Sequence, residues 1–207
     1  MTLSASEVHQ LKKASAEANI LPVILHRWSP RSFSDQDVSP ADLKTVFEAA
    51  RWAASSYNEQ PWRFLVGTRN SETYNKILSS LGEFNQLWAR TASVLILGAA
   101  RTTFTHNGAP NRVALYDLGA AAATLCYQAA ALGLFTHQMA GFDTDLARRL
   151  FNVPEEYIFG AAIALGHQGE PAALPNQQML AQETSPRRRK PLNEFVLSAW
   201  GEPARFD

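Results

Sequence analysis

The chain has little cysteine and no excess of charge of either sign. Its 207 residues include one cysteine, Cys126, which excludes an internal disulfide and a thiolate metal cage. Cys126 lies in the alanine-rich run AAAATLCYQAAALG, which predicts a buried structural thiol. Nineteen basic residues balance nineteen acidic ones, so no overall field attracts nucleic acid or anionic lipid. A charged ligand must therefore be held by a local cluster.

Familiar catalytic motifs are also absent. There is no G-x-S-x-G elbow, no P-loop and no G-x-G-x-x-G after a strand, which argues against an esterase and a dinucleotide-binding fold. The five histidines are scattered, and no pair has the helical spacing of metal ligands. No apolar run is long enough for a bilayer and no signal peptide is visible, so we expect a cytoplasmic protein. An enzyme of this kind would need its chemistry from a bound cofactor.

Helix and strand patterns alternate along the chain. Helices are predicted over 5–19 and 111–132, and after the capping residues Ser39, Ser71 and Asp143. The alternation predicts an α/β layered fold with a mixed central sheet flanked by helices. Four short apolar runs are typical of its strands: WRFLVGT, ASVLILGAA, THQMAG and YIFGAAIALG.

The C-terminal part of the sequence has a different composition. Residues 169–190 are rich in Pro, Gln and Arg, and the apolar stretch PLNEFVLSAW after them predicts a last short helix. We expect one domain over 1–207, in which 169–207 form an arm that lies across a partner subunit. A frayed terminus is the alternative, against which the apolar content of EFVLSAW argues.

Two basic stretches could bind an anion. HRWSPRSF places Arg27, Ser29 and Arg31 at one irregular corner; it is either a solvated turn or a clamp of paired donors. RRRK, at 187–190, lies between two prolines that hold it extended, so that Arg187 and Arg189 would share one side. A nucleic-acid binder would need a wider basic surface.

A third polar stretch is SSYNEQPWRF. It places Ser55, Ser56, Asn58 and Gln60 between the end of a helix and a strand, and Pro61 keeps Gln60 extended. These neutral donors and acceptors suit a flat polar heterocycle or a polyol, although Ser and Asn are also ordinary helix-ending residues.

The order of these segments resembles the FMN-dependent nitroreductase family. The resemblance runs from about Ile24 to Val196 and rests on several motifs with matching spacing. It implies a nitroreductase-like fold, bound FMN, and a homodimer with the flavin at the interface. The motifs are RWSPRSF, SSYNEQPWRF, MAGFD, YIFGAAIALG and RRRKPL.

The resemblance also implies roles for individual residues. The two basic segments would converge on the flavin phosphate and ribityl chain, and the 55–60 segment would reach the flavin from the second subunit. Asn85 would bind the pyrimidine edge of the ring, and the Gly141 N–H would lie near flavin N5. The implied cofactor-binding set is Arg27, Trp28, Ser29, Arg31, Ser55, Ser56, Asn58, Gln60, Asn85, Met139, Ala140, Gly141, Arg187 and Arg189.

Two positions depart from the family pattern. Ala140 replaces a glutamate beside the flavin, and Trp88 replaces a lysine. We expect a more apolar pocket as a result.

The resemblance implies a function as well. NADH or NADPH would reduce FMN, and a nitroaromatic, quinone or similar acceptor would reoxidise it by a ping-pong mechanism, with no catalytic side chain required. Dehalogenation or flavin fragmentation on the same fold, or a non-catalytic flavin-binding protein, are the alternatives. Acceptor selection is expected to reside in loops such as 101–112.

Overall fold

The computed structural model describes residues 2–206, whose helices and strands are numbered here in chain order. No helix in that range is both long and apolar enough to cross a membrane. The helices are α1 (Ala5–Leu11), α2 (Pro22–His26), α3 (Pro40–Arg51), α4 (Glu72–Ser80), α5 (Glu83–Ala89), α6 (Ala114–Ala131), α7 (Thr144–Phe151) and α8 (Gln177–Glu183). The strands are β1 (Trp62–Thr68), β2 (Val94–Arg101), β3 (Phe135–Met139), β4 (Tyr157–Gly166), β5 (Leu197–Ala199) and β6 (Glu202–Pro203).

The central sheet has four strands in the order β1-β2-β4-β3. The layered α/β fold is confirmed, but the expectation of a mixed sheet is wrong, because every described pairing of these strands is antiparallel. Strands β2 and β3, which α6 connects, do run in the same direction. The later strand β4 inserts between them and pairs with both, so their parallel orientation produces no parallel ladder.

Apolar side chains fill both faces of this sheet. Along β2, Val94 and Ile96 join one hydrophobic cluster, whereas Leu95 and Leu97 join the other, as the alternation of a strand requires. The first cluster packs under α3 and α6, where alanines allow close approach, and the second packs under α4, α5 and α7. Such burial on both faces accounts for the continuous apolar runs of the central strands.

Three of the helix starts agree with the capping predictions. The side chain of Ser39 accepts from the Asp42 N–H at 3.0 Å, and that of Ser71 accepts from the Tyr74 N–H at 3.1 Å. The Asp143 carboxylate accepts from the Leu146 N–H at 2.8 Å. Each cap satisfies a donor that the first helical turn leaves free.

The N-terminal helix is shorter than predicted. The pattern over 5–19 gives only α1, and the chain then turns back, with the Ala14 N–H bonded to the Leu25 carbonyl at 2.9 Å.

The end of the C-terminal arm also differs from prediction. Its first part, residues 169–190, contains helix α8, which buries Met179 against the same chain. The predicted last helix is a short 3₁₀ turn, Leu192–Glu194, followed by the hairpin β5-β6. Gly201, with φ of 86°, supplies the left-handed conformation near its turn.

Candidate functional site

The Arg27–Arg31 corner begins where α2 ends. Arg187, from the distant tail, donates from Nη1 to the carbonyl of Arg27 at 2.6 Å and from Nη2 to the carbonyl of Leu25. These carbonyls belong to the last turn of a helix, where acceptors lack partners within the helix. Arg187 therefore ties the basic tail to the corner and caps the helix, a role that the sequence did not predict.

Three arginines gather at this corner. The guanidinium of Arg27 donates to the Ser29 hydroxyl at 3.3 Å. Burial, followed by the positive charges of Arg27 and Arg189, lowers the pKa of Arg187. Nε of Arg187 is buried and has no hydrogen-bond partner among residues 2–206. The two basic segments therefore do meet in space, and their mutual repulsion favours a bound anion.

Arg31 extends this cluster toward α5. Its guanidinium lies over the Phe84 ring, 5.9 Å from the centroid, and its Nε is buried without a hydrogen-bond partner within the described range. The main-chain N–H groups of Arg31 and Ser32 donate to the buried Glu183 carboxylate at 3.0–3.2 Å. Burial raises the pKa of Glu183, and the two N–H bonds oppose that shift.

Asn85, the residue after Phe84, is hydrogen-bonded to Gly141. Nδ2 of Asn85 donates to the Gly141 carbonyl at 3.0 Å, and the Gly82 N–H donates to the same oxygen at 2.9 Å. A Cβ on residue 141 would come within 2.9 Å of Asn85 Nδ2. The lack of a side chain at Gly141 thus keeps this pair together and leaves the backbone approachable.

His137, on β3, is hydrogen-bonded to the Arg27–Arg31 corner. Its Nδ1 lies 2.8 Å from the Pro30 carbonyl, and its ring centroid lies 4.5 Å from that of Trp88. Burial, together with the charges of Arg31 and Arg27, lowers its pKa to about 4, so the ring is neutral at pH 7. The hydrogen bond to the Pro30 carbonyl thus gives one ring nitrogen of His137 a partner within the chain.

The neighbouring Gln138 was not predicted as a site residue. It is exposed, and its Nε2 contacts the Cys126 sulfur at 3.4 Å. Burial raises the pKa of the Cys126 thiol, in agreement with a structural rather than a nucleophilic cysteine. Gln138 is the one polar residue in the stretch QMAG, and this pattern could have indicated it as a candidate site residue.

Several predicted side chains lie inside the core. Trp28 is buried and donates from Nε1 to His9 at 3.4 Å, and Met139 is buried in the second cluster. Trp28 nevertheless borders a cavity beside Arg27, and the cofactor-binding roles of Trp28 and Met139 stay predictions. Trp88 is also buried, stacked with Phe33, and the expectation of a more apolar ligand pocket stays a prediction. Ala140, by contrast, is exposed.

The 55–60 segment forms a tightly bonded loop. The Ser55 hydroxyl accepts from the Gln60 N–H at 3.0 Å, Gln60 Nε2 donates to Asn58 Oδ1 at 3.1 Å, and the Ser56 N–H donates to Asp117 at 3.1 Å. Tyr57, Asn58 and Gln60 have φ of 53°, 54° and 50°, conformations that are costly for residues other than glycine. Such strain is typical of functional loops. The sequence YNEQ does not predict these positive φ values. The expectation that Pro61 keeps Gln60 extended is therefore wrong.

Tyr57, which is exposed, belongs to an aromatic cluster with Phe104 and His106. The three ring centroids lie 5.4–5.7 Å apart. The neighbouring Glu59 carboxylate accepts from the Thr105 N–H at 2.9 Å and from its hydroxyl at 3.1 Å. Loop 101–112 is thereby fixed to the 55–60 loop.

The arginine corner and the 55–60 loop lie toward opposite ends of α6. Arg27 borders a cavity of about 440 Å³ together with Ala130 and Ala131, whereas Ser56 is bonded to Asp117. At 1.5 Å per residue, these two points lie roughly 20 Å apart along the helix. None of the hydrogen bonds among residues 2–206 joins the two groups directly.

The described part of the chain has no grouping of three His, Cys, Asp or Glu side chains that could hold a metal ion. The cationic and neutral donors described above suit an organic anion instead.

Comparisons with known proteins agree with this assignment. The model of the nitroreductase family matches residues 24–167. An uncharacterized 15.4 kDa protein of Mycolicibacterium smegmatis is 34% identical over 153 residues, which cover 68% of this chain and 99% of the relative. The major NAD(P)H-flavin oxidoreductase of Aliivibrio fischeri is 29% identical over 85 residues, 40% of this chain and 39% of that one. A crystal structure of an oxidoreductase containing FMN superimposes with a TM-score of 0.84 and 34% identity, covering 90% of this chain and 95% of the other.

Proposed function

Since the chain belongs to the nitroreductase family of oxidoreductases, we propose that it binds FMN and transfers electrons from NADH or NADPH to an electron-poor acceptor. A nitroaromatic or a quinone is the acceptor class that suits this chemistry. The observation that carries the proposal is the arginine corner, where residues of two distant basic segments come together around Arg27.

The corner fits a flavin phosphate. Arg27 and Ser29 offer a guanidinium and a hydroxyl on the same turn, and Arg189 adds a positive charge from the tail. The buried Nε atoms of Arg31 and Arg187 are donors without partners in the described structure. Arginine binds phosphate through paired, charge-assisted hydrogen bonds, so this donor set matches a phosphate monoester.

The Asn85–Gly141 pair fits the ring end of the same cofactor. The amide of Asn85 is oriented by its bond to the Gly141 carbonyl, which leaves Oδ1 as an acceptor for a ring N–H. The backbone N–H of Gly141 can approach a ring nitrogen because no Cβ intervenes. Bound FMN would supply the hydride and electron transfer that no side chain of this chain supplies. One open face that serves both substrates in turn would give ping-pong kinetics.

We further propose that the working form is a homodimer in which the 55–60 loop of one subunit approaches the flavin of the other. The separation of that loop from Arg27 along α6 supports this arrangement. So do large apolar side chains left exposed on α6, Leu115 and Tyr116, and on the tail, Phe195 and Trp200. Contact with a second copy would cover this surface.

Purified protein tests both parts of the proposal. It should be yellow and release FMN, not FAD, on denaturation, and it should oxidise NADH or NADPH steadily when a quinone or nitroaromatic is present. Tight FMN binding without turnover would instead support a non-catalytic flavin-binding protein. Release of halide from a halogenated substrate would support dehalogenation, and breakdown of the flavin would support flavin fragmentation. Failure to load FMN would refute the proposal, and a stable monomer with full FMN affinity would refute the shared site.

A further inference from the structure

We propose that the cavity beside Arg27 is a second ligand site, which takes a small aromatic carboxylate. The cavity has a volume of about 440 Å³, within the range of pockets that bind small molecules. Neither Asn85 nor Gly141 is among the residues of the described chain that line it, so it lies apart from the proposed ring end of the flavin site. Of the described arginines assigned to the flavin phosphate, only Arg27 borders it.

Two histidines, His9 on α1 and His26 on α2, line this cavity with one ring nitrogen each left for a ligand. Nδ1 of His9 accepts from Trp28 Nε1 at 3.4 Å, and an indole N–H only donates, so the neutral His9 ring carries its proton on Nε2. Nδ1 of His26 lies 2.8 Å from the Pro22 carbonyl, which only accepts, so this nitrogen is the donor. Nε2 is therefore a hydrogen-bond donor in His9, and it is one in His26 as well when that ring is charged.

The charges around the cavity favour an anion. Arg27 borders the cavity, and no Asp or Glu among residues 2–206 lines it. Partial burial, followed by the positive charges of His26 and Arg187, lowers the pKa of His9, which agrees with an excess of positive charge at this place. A bound anion would offset the repulsion between these cationic groups.

Aromatic and aliphatic side chains form most of the remaining lining. Phe135 on β3 meets His9 edge to face at 89°, with ring centroids 5.5 Å apart, and meets Trp28 at 73° and 6.1 Å. Val23 and Leu134 add aliphatic surface. Aromatic side chains attract a further flat ring through stacked or edge-to-face contacts. A flat apolar ring with one carboxylate therefore matches both the charge and the apolar surface of the cavity.

Calorimetric titration of the purified protein with 1-naphthoate, in an excess of FMN, tests the site. One molecule should bind per chain, and the neutral analogue 1-naphthamide should bind at least tenfold more weakly, because hydrogen bonds to a charged group are the stronger ones. Ala131→Phe puts a ring at the border of the cavity and should weaken 1-naphthoate binding at least tenfold. Ala131 is exposed, so the larger side chain disturbs no packing in the core. The matched control is Leu132→Phe, at an exposed neighbour that does not line the cavity, and it should keep the affinity of the wild-type protein.

A further variant tests the polar contact alone. His9→Phe keeps a ring at this position but lacks the Nε2 donor, so it should lose most of the preference for 1-naphthoate over 1-naphthamide. Equal binding of the two compounds to the wild-type protein would refute the anion site.

The flavin spectrum distinguishes this cavity from the flavin itself. A ligand in the cavity should leave the absorption bands of bound FMN unchanged, whereas a ligand stacked on the flavin ring would shift them. No binding to the wild-type protein, equal affinities of Ala131→Phe and Leu132→Phe, or binding that shifts the flavin bands would each overturn the proposal. A protein that binds 1-naphthoate as expected but does not load FMN would refute the proposed function alone.

Discussion

Nη1 of Arg187 donates a hydrogen bond to the main-chain carbonyl of Arg27, 2.6 Å away, across 160 residues of sequence. Arg187→Ala should remove this bond and the one to Leu25, which leaves the Arg27 carbonyl without a donor and the Leu25 carbonyl with only the Ala14 N–H. Loss of such bonds should lower the free energy of unfolding by about 1–3 kcal/mol, measured by urea denaturation. Arg188→Ala is the control, because the Arg188 side chain is exposed. Equal stability of the two variants would contradict the capping role.

The Arg27 guanidinium is expected to contact the flavin phosphate directly. Arg27→Ala and Arg189→Ala should each weaken FMN binding roughly tenfold or more, since a hydrogen bond to a charged group contributes about 1.5–3 kcal/mol. Riboflavin, which lacks the phosphate, should bind the wild-type protein poorly and lose much less from either substitution. Titration of flavin fluorescence measures both ligands. Arg188→Ala should leave FMN affinity nearly unchanged, and a larger effect at Arg188 than at Arg189 would reverse the proposed orientation of the tail.

His137 should make the protein less stable in acid. Its pKa is about 4 in the folded chain against an ordinary value of 6.5, so the unfolded chain binds the proton more tightly. Stability is therefore lost as the pH falls from 6.5 toward 4, by about 3 kcal/mol at most, since one pKa unit corresponds to about 1.4 kcal/mol. His137→Asn keeps a donor for the Pro30 carbonyl but cannot take up a proton. Urea denaturation at pH 7 and pH 4.5 should show a smaller loss in this variant, and equal losses would argue against a neutral His137 in the folded chain.

Glu183, in contrast to His137, should make the protein less stable as the pH rises. Burial raises its pKa above 4.5, so the folded chain holds this proton more tightly than the unfolded chain does, and stability is lost as the pH rises through the raised pKa. Glu183→Gln cannot ionise and keeps one oxygen for the N–H groups of Arg31 and Ser32. Its free energy of unfolding relative to wild type should therefore be higher at pH 7 than at pH 4.5. Glu183→Leu should be less stable by about 1–3 kcal/mol, because it leaves those donors unsatisfied. A pH-independent difference between Glu183→Gln and wild type would refute the assignment.

The parts of the fold that depend on neighbouring residues could be predicted from sequence. The caps at Ser39, Ser71 and Asp143 each join residues three positions apart, and the central strands were visible as apolar runs. The pairing of the strands could not be predicted, because the insertion of β4 between β2 and β3 depends on packing across the whole chain. The final hairpin was missed because its apolar letters suit a helix equally well.

The candidate site also has features that the sequence predicts and features that it does not. The chemistry of Arg27, Ser29 and the 187–189 run indicated an anion site from local sequence, and their meeting in space agrees with it. The inward orientation of Arg187 could not be predicted, since its acceptors are main-chain carbonyls that any sequence would offer. The left-handed Tyr57 was equally hidden, because tyrosine rarely adopts that conformation. The contacts of these residues with FMN stay predictions.

The placement of the arginine corner and the 55–60 loop toward opposite ends of α6 has a genetic consequence. If each flavin site takes its corner from one chain and its loop from the other, two different defective chains can repair each other. In a mixed dimer of an Arg27→Ala chain and a chain altered at Ser56 and Asn58, one site carries both lesions and the other carries none. Co-expression of two inactive alleles should then restore about half of the normal activity per mixed dimer, whereas a site built within one chain would show no such complementation.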